Sequence, residues 1–308
     1  MDDNLNVTYI TLSGHVEVHK YRYLYFVIMF TAYFLIICIN STIVCLIVIH
    51  KNLHEPMYIF IAALLINSVF YSTNIYPKLL IDFLSEKQII THSLCLFQGS
   101  VHYTMAGSEF LLLSAMAYDR YVSICKPLQY PTSMRKTVVN TLLVLAWLVP
   151  ACECGLAAVL YAGMKLCSIT VKGIFCNNSL YSLQCVQSVA MSIYGLFMLL
   201  NIALFPVLFI FFTYTRILIV SYRSSKTFRR KSAQTCLPHL LVLINFVSFI
   251  TYDVIVVRLE SDIPKIVRFI MTLQMIVYHP LFNPIIYGLK MKEISKHLKK
   301  LLFQVKSH

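Results

Sequence analysis

The stretch that decides the fold reads Met-Ala-Tyr-Asp-Arg-Tyr-Val-Ser-Ile-Cys-Lys-Pro, from Met116 to Pro127. The residues before it, from about Leu94, are mostly apolar or small, and Asp119 and Arg120 then stand side by side at the end of the apolar run. Charged groups inside a membrane are costly and usually functional, although an arginine near a helix end can extend its stem to the interface. The stretch therefore indicates either a functional charge pair or a pair that is merely satisfied locally, and the rest of the chain decides between them.

The composition indicates a membrane protein. The chain has 308 residues, of which 58% are hydrophobic and 13% are charged, whereas a soluble domain is about half apolar and a quarter charged. Such a chain has too little polar surface to cover itself in water. The net charge of +13 is compatible with a nucleic-acid partner, but the distribution of the basic residues indicates membrane orientation instead, and no nucleic-acid partner is expected.

Seven apolar stretches are long enough to cross a bilayer as helices. They cover approximately residues 23–49, 57–84, 94–124, 138–160, 188–222, 236–257 and 266–289. Pro77 and Pro206 should bend the second and fifth spans, because proline removes a backbone donor. After the last span, Ile294 and Leu298 stand at helical spacing with lysines on the other faces, which predicts an amphipathic helix lying on the lipid bilayer.

These stretches predict an all-α membrane protein, a seven-transmembrane helix bundle with a short amphipathic eighth helix. The expected parts are an extracellular tail of residues 1–22, a bundle of residues 23–289, and a cytoplasmic helix and tail of residues 290–308. With the N-terminus outside, most of the 26 Lys and Arg residues fall on the cytoplasmic side, while only Glu55, Asp119 and Glu293 of the 13 acidic residues do so. This asymmetry favours an extracellular N-terminus and a cytoplasmic C-terminus.

Features of the predicted outer side agree with this orientation. Asn6-Val7-Thr8 is a glycosylation sequon in the tail, and Asn177-Asn178-Ser179 is another in the loop after span four. Four cysteines also lie on this side, where disulfides persist: Cys95, Cys167, Cys176 and Cys185. Four cysteines permit three pairings, and the residues alone leave the choice open.

Several runs of residues, taken together, carry a resemblance to a known family. They are Asn40 in span one, Leu53-His54-Glu55-Pro56-Met57-Tyr58 before span two, Pro77-Lys78-Leu79-Leu80 in span two, Met116 to Cys125 in span three, Thr213-Tyr214 in span five, Lys231 to Leu240 at span six, and Pro280-Leu281-Phe282-Asn283-Pro284-Ile285-Ile286-Tyr287 in span seven. In order and spacing, over nearly the whole chain, they resemble the odorant receptor branch of the rhodopsin-like G-protein-coupled receptors.

The chain departs from that family at a few positions. Ser68 stands where the family usually has Asp in span two, so Glu109 is the only carboxylate left for a sodium site between spans two and three. Phe246-Val247-Ser248 replaces the usual Phe-Tyr-Gly of span six, and the switch tyrosine of that motif is absent.

The resemblance implies a receptor that binds a small-molecule odorant at the plasma membrane and activates a heterotrimeric G protein of the Gs or Golf type, which raises cyclic AMP. It implies disulfides between Cys95 and Cys176 and between Cys167 and Cys185. No catalytic residue, cofactor or metal is expected. The residues expected to serve activation and G-protein coupling are Asp119, Arg120, Tyr121, Tyr214, His239, Asn283, Pro284 and Tyr287.

The ligand pocket is expected in the outer half of the bundle, between spans three, five, six and seven. Helical spacing back from Arg120 and the apolar faces of the other spans give the candidates His102, Tyr103, Ala106, Gly107, Met198, Asn201, Ile202, Phe249, Thr251, Tyr252, Phe269 and Leu273. His102 stands where amine receptors of this superfamily carry Asp, and a buried ammonium would have no counterion there. A small, mostly apolar or weakly polar molecule is therefore the expected ligand.

Two alternatives belong to other classes of protein, and a third lies within the same superfamily. A channel or transporter usually carries several charges near the midplane or repeats with broken helices, and Glu109 is the one acid in the middle of a span. A membrane enzyme would need a catalytic motif of the His-Glu-x-x-His or Gly-x-Ser-x-Gly kind, and the sequence has neither. A receptor of the same superfamily with a non-olfactory ligand stays open.

Overall fold

In the computed structural model, which describes residues 9–177, 180, 183–185, 188–258 and 263–306, seven long helices form one bundle and an eighth lies beside it. The helices are α1 (Val18–Ile49), α2 (Pro56–Leu84), α3 (His92–Cys125), α4 (Lys136–Ala162), α5 (Val189–Tyr222), α6 (Lys226–Arg258), α7 (Lys265–Lys290) and α8 (Lys292–Lys306). The predicted all-α seven-helix bundle is confirmed. We refer to its two ends as the Cys95 end and the Arg120 end.

The chain is a multi-pass membrane protein by the length and surface of its helices. Six of the long helices, all except α3, are apolar enough to cross a membrane. Large apolar side chains stand exposed on the outer faces of the bundle, among them Phe34 on α1, Val159 on α4 and Phe211 on α5. A soluble protein rarely exposes so continuous an apolar surface, and lipid is the solvent that suits it.

The helix α3 is less apolar than a membrane span usually is because it lies inside the bundle. It is 34 residues long, or about 50 Å at 1.5 Å per residue, and it packs against α2, α4, α5 and α6. Its polar side chains, including His102, Glu109 and Asp119, are buried against these neighbours. Polar groups that face protein can find hydrogen-bond partners, whereas groups that face lipid cannot.

Two helices begin earlier than the sequence predicts. The helix α1 begins at Val18, but Tyr21 has non-helical backbone angles, so the regular part begins near the expected residue 23. The helix α6 begins at Lys226 and not near residue 236. The prediction took the first apolar residue as the start of the span, whereas basic residues are good helix formers and extend α6 beyond the apolar region.

The helix α5 changes its winding in the middle. Val189–Met198 and Phe205–Tyr222 are α-helical, and Leu199–Leu204 between them is π-helical. Pro206 is the second residue after this π segment, close to the predicted bend. π segments are rare and often lie at functional sites.

A small sheet closes the Cys95 end of the bundle. Strand β1 (Tyr9–Leu12) pairs antiparallel with β2 (Ile89–Thr91) and parallel with β3 (Thr170–Val171), with Ile10 opposite Ile90 and Leu12 opposite Val171. The segment that the sequence assigned to a tail is therefore folded onto the bundle from Tyr9 onwards. Asn6, the predicted glycosylation residue, lies outside the described residues.

Two disulfides hold the connection between α4 and α5 against this end. Cys95 at the start of α3 is bonded to Cys176, with a Cα–Cα distance of 5.4 Å, and Cys167 is bonded to Cys185, with a Cα–Cα distance of 4.7 Å. Both pairings are those that the resemblance implies. The first closes a sequence separation of 81 residues and joins the connection to the central helix.

Candidate functional site

At the Arg120 end, Asp119 and Arg120 form a buried ion pair within α3. The Arg120 guanidinium donates to Asp119 Oδ2 through Nε, at 2.9 Å, and through a terminal nitrogen. Tyr130, in the short helix Tyr130–Ser133 after α3, donates its hydroxyl to Asp119 Oδ1 at 2.8 Å. Both carboxylate oxygens therefore have a partner, as a fully buried carboxylate requires.

Two further contacts join the neighbouring helices at this end. Tyr214 of α5 and His239 of α6 share a hydrogen bond, and their rings stack with centroids 5.5 Å apart. Tyr287 of α7 is buried and donates its hydroxyl to Met116 Sδ of α3 at 3.9 Å. Five of the residues that the resemblance assigned to activation thus form local pairs at the Arg120 end: Asp119, Arg120, Tyr214, His239 and Tyr287. Tyr121 stands apart from these pairs and lies on the half-buried side of α3, below the Lys126 ammonium.

A buried polar cluster lies in the middle of the bundle, where α2, α3 and α7 meet. Glu109 Oε2 lies 2.9 Å from His279 Nε2, and Asn283 Nδ2 donates to Glu109 Oε1 at 3.1 Å and to Ser68 Oγ at 3.4 Å. All four side chains are buried. The Glu109 carboxylate links α3 to α7, and Asn283 links α7 to α2.

The sequence interpretation missed His279. Two signals could have found it: a histidine inside an apolar span, and its position four residues before Asn283, which puts both side chains on one face of α7. Ser68 also leaves α2 without the carboxylate that the family usually has there. Without a second carboxylate near it, Glu109 is paired with an imidazole.

A small cavity, which we call the upper cavity, lies next to this cluster, towards the Cys95 end. Its volume is about 10 Å³, the space of a single water molecule. It is lined by Tyr71, His102, Ala106, Phe246, Phe249, Ile250, Met275 and His279. Three of the predicted ligand residues, His102, Ala106 and Phe249, are therefore brought together here.

A second cavity of about 40 Å³ lies between α3, α4, α5 and the connection that follows α4. Two more of the predicted residues, Tyr103 and Met198, line it. It is separate from the first cavity, since none of its lining residues is shared with the first. The predicted ligand residues are thus divided between two cavities on different sides of α3.

The other predicted ligand residues line neither cavity. Gly107 packs closely against Ile202 and Pro150: a Cβ atom added to Gly107 would lie only 2.5 Å from Ile202 Cγ2. Phe269 is buried beside the Tyr25 ring, with centroids 5.4 Å apart. Tyr252 and Leu273 are half-buried in the apolar cluster at the Cys95 end, and Asn201 and Thr251 are exposed on the faces of their helices.

Comparison with known proteins identifies the family. The family model described as "Olfactory receptor" matches residues 28–305. Human "Olfactory receptor 11A1" is 31% identical over 302 residues, which cover 97% of this chain and 95% of the relative. Human "Olfactory receptor 13C2" is 32% identical over 301 residues, which cover 94% of this chain and 93% of the relative.

A seven-helix bundle with the paired Asp119 and Arg120 at one end agrees with these comparisons, and the chain belongs to the olfactory receptor family, whose members are receptors and not enzymes.

Proposed function

We propose that the protein is an odorant receptor of the plasma membrane that binds a small odorant between its helices and activates a heterotrimeric G protein of the stimulatory type, so that cyclic AMP rises. The observation that carries this proposal is the burial of Arg120 and its ion pair with Asp119. Its guanidinium is mostly buried and is held by the carboxylate next to it in the same helix. Because both charges lie on the same helix, Arg120 can leave Asp119 for a cytosolic partner without breaking a contact between helices.

The contacts around Arg120 suggest how such an exchange is controlled. The Tyr214–His239 pair joins α5 to α6, and Tyr287 joins α7 to α3. A movement of α6 relative to α5 would break the first pair and free the Tyr214 hydroxyl. Two-state repacking of this kind is how a ligand shifts a helical bundle between conformations.

The odorant would act from the other side of the polar cluster. His279 lines the upper cavity and contacts Glu109 through Nε2. A ligand that moves His279 would therefore also move Glu109 and Asn283, which connect to α2 and α3. The predicted residues His102, Ala106 and Phe249 belong to this cavity in the proposal, and Tyr103 and Met198 to the neighbouring one.

The test of the proposal is a cyclic-AMP reporter in transfected cells, screened against a broad odorant panel. Arg120→Ala should abolish the response to every active odorant while surface staining persists, because the exchangeable guanidinium is lost. Lys87→Ala is the matched control, since Lys87 is an exposed cation at the Cys95 end. A receptor that reaches the surface and responds normally with Ala at position 120 would refute this role of Arg120.

The proposed orientation has its own test. An epitope tag at the N-terminus should stain on intact cells, and a tag at the C-terminus should stain only after permeabilisation, because lysine-rich segments stay in the cytosol. The helix α8 carries several of these lysines and should lie on the inner leaflet of the bilayer. The opposite staining pattern would invert every assignment of the two ends.

A further inference from the structure

Two buried imidazoles in the upper cavity have an unused ring nitrogen. His102 is 2% exposed and His279 is 4% exposed, and both line this cavity. The Nδ1 atom of each has no hydrogen-bond partner among the residues that the structure describes. A buried polar atom without a partner costs about 1–3 kcal/mol, so two of them in one cavity need an explanation.

The two rings are held beside each other by neighbouring side chains. The Tyr71 ring contacts both, with its centroid 5.3 Å from that of His102 and 5.4 Å from that of His279. The Phe175 ring packs on His102 with centroids 5.1 Å apart, and Phe246 stacks on His279 with centroids 5.2 Å apart. The imidazoles are thus positioned by packing, as in a preformed binding site.

Glu109 decides what His279 can offer to the cavity. The Glu109 carboxylate lies 2.9 Å from His279 Nε2 and accepts a hydrogen bond from the N–H group there. In a neutral imidazole the other nitrogen, Nδ1, then carries a lone pair and accepts a hydrogen bond. A ligand group that satisfies this atom must be a donor.

From this geometry we propose that the upper cavity binds the hydroxyl group of an alcohol or a phenol. A hydroxyl donates one hydrogen bond and accepts others, so it can donate to His279 Nδ1 while it accepts from His102 Nδ1 in the tautomer of His102 that carries its proton there. The cavity volume of about 10 Å³ matches the size of one hydroxyl oxygen. The inference rests on the proposed function, because it names the class of odorant for that receptor.

Other head groups fit this cavity less well. A carbonyl or an ether only accepts hydrogen bonds and leaves His279 Nδ1 without a donor. A carboxylate would bring a second negative charge beside Glu109, which is buried. An ammonium would find the Glu109 oxygens already engaged by His279 and Asn283.

The hydrocarbon part of the ligand has to make room for itself. Apart from the Tyr71 hydroxyl, the remaining walls are apolar. Ile250 on α6 and Met275 on α7 are the side chains that can give way, Met275 because methionine is unbranched and adaptable. Displacing them would separate α6 from α7 beside Phe246, which stacks on His279. Binding of the hydroxyl and repacking of α6 are therefore coupled through one ring.

The experiment compares matched compounds in the cyclic-AMP assay: linear alcohols from butanol to decanol, together with phenol, each beside its aldehyde, methyl ether and carboxylic acid. At least one hydroxyl compound should act at about tenfold lower concentration than its ether and aldehyde, the effect of one good hydrogen bond. His102→Phe should reduce that ratio to near one. His92→Phe, on the same helix but outside both cavities, should leave it unchanged.

His279→Gln supplies a second variant, because its amide can still donate to Glu109 and the polar cluster is preserved. It should also lower the preference for alcohols. If ethers and aldehydes act as well as alcohols, or if His102→Phe leaves the ratio unchanged, the cavity holds only a resident water and the inference is overturned, while the proposed receptor function stands.

A silent cyclic-AMP assay separates the two proposals. In that case the melting temperature of the purified receptor is measured with each alcohol and with its methyl ether. Stabilisation by alcohols alone, lost in His102→Phe, would support the hydroxyl site and count against the proposed signalling. Equal effects of alcohols and ethers would overturn the hydroxyl site.

Discussion

Two partners from different elements hold the Asp119 carboxylate. Arg120 holds Oδ2 from the same helix, whereas Tyr130 holds Oδ1 from the connection to α4. Burial, and then the neighbouring Asp119, raise the pKa of the Tyr130 phenol, so at neutral pH it is protonated and donates. The tyrosine thus fixes the carboxylate in the position from which it holds Arg120.

Replacing Tyr130 with Phe should therefore raise the basal signal. The substitution removes one hydrogen bond to a charged group, worth about 1.5 kcal/mol at a half-buried position, and the resting state loses that stabilisation. A shift of this size changes the ratio of active to resting receptor about tenfold. The measurement is cyclic AMP without ligand, normalised to surface staining.

The control for this substitution is Tyr222→Phe, since Tyr222 is 79% exposed at the end of α5. It should leave the basal signal at the wild-type level. An unchanged basal signal in Tyr130→Phe would mean that the Oδ1 hydrogen bond is equally strong in both conformations.

The helix α7 contains two prolines, and side chains of other helices supply the hydrogen-bond donors that these prolines remove. Pro280 and Pro284 have no N–H, so the carbonyls of Ile276 and Pro280 lose their helical donors. Tyr76 of α2 donates its hydroxyl to the Ile276 carbonyl at 3.1 Å, and Asn40 of α1 donates to the Pro280 carbonyl at 3.1 Å. Asn40 on α1 thus satisfies a carbonyl of α7 that Pro284 leaves without its helical donor.

Tyr76→Phe should destabilise the receptor without touching a site of binding or coupling. The Ile276 carbonyl would be left without its donor, at a cost of about 1–3 kcal/mol. The melting temperature in detergent should fall by a few degrees. Tyr23→Phe, at an exposed position on α1, should have no effect, and a melting temperature equal to the wild type for Tyr76→Phe would show that another donor replaces the phenol.

The contact of α3 with α4 and α5 depends on Gly107 having no side chain. A Cβ atom there would lie 2.5 Å from Ile202 Cγ2 and 2.9 Å from Pro150 Cβ. Gly107→Ala should cost about 1–3 kcal/mol by overpacking, more than the roughly 1 kcal/mol that alanine gains in a helix. Gly155→Ala, which meets nothing within 4 Å, should be neutral or stabilising, and equal melting temperatures would refute the packing role.

For the whole molecule, the sequence predicts which segments cross the membrane but not how each helix is rotated. The length of the apolar runs gives the spans, and the resemblance to the family gives both disulfides. The rotation depends on what each helix packs against, which no local pattern contains. Asn201 and Thr251 therefore are exposed in the structure although they were expected in a pocket, and His279 joins Glu109 without having been expected there.

The sequence analysis also did not predict the sheet over the Cys95 end. Its strands are two to four residues long, too short to give a clear alternating pattern, and they pair segments that are far apart in the chain. His15, which follows β1, is buried with its ring 5.8 Å from that of Phe83 and 6.4 Å from that of Phe269. One imidazole thus joins the folded N-terminal segment to α2 and α7.

His15 should make the stability of the whole receptor depend on pH. Burial, aided by the nearby Lys78 and Lys265 and opposed by the hydrogen bond to Leu12, lowers the pKa of His15 to about 4, while the unfolded chain titrates near 6.5. Below pH 6.5 the unfolded state binds more protons, so stability falls as the pH falls towards 4 and is unaffected above 6.5. At pH 5 the loss should be about 2 kcal/mol.

The measurement is the melting temperature of the purified receptor at pH 7.5 and at pH 5. His15→Phe should reduce the difference between the two values, because phenylalanine keeps the ring packing and has no proton to bind. His19→Phe is the matched control, since His19 is exposed on the first turn of α1, and it should retain the wild-type difference. If His15→Phe retained it as well, the N-terminal segment would not close the Cys95 end of the folded receptor in solution, and the acid sensitivity would have to come from groups inside the bundle.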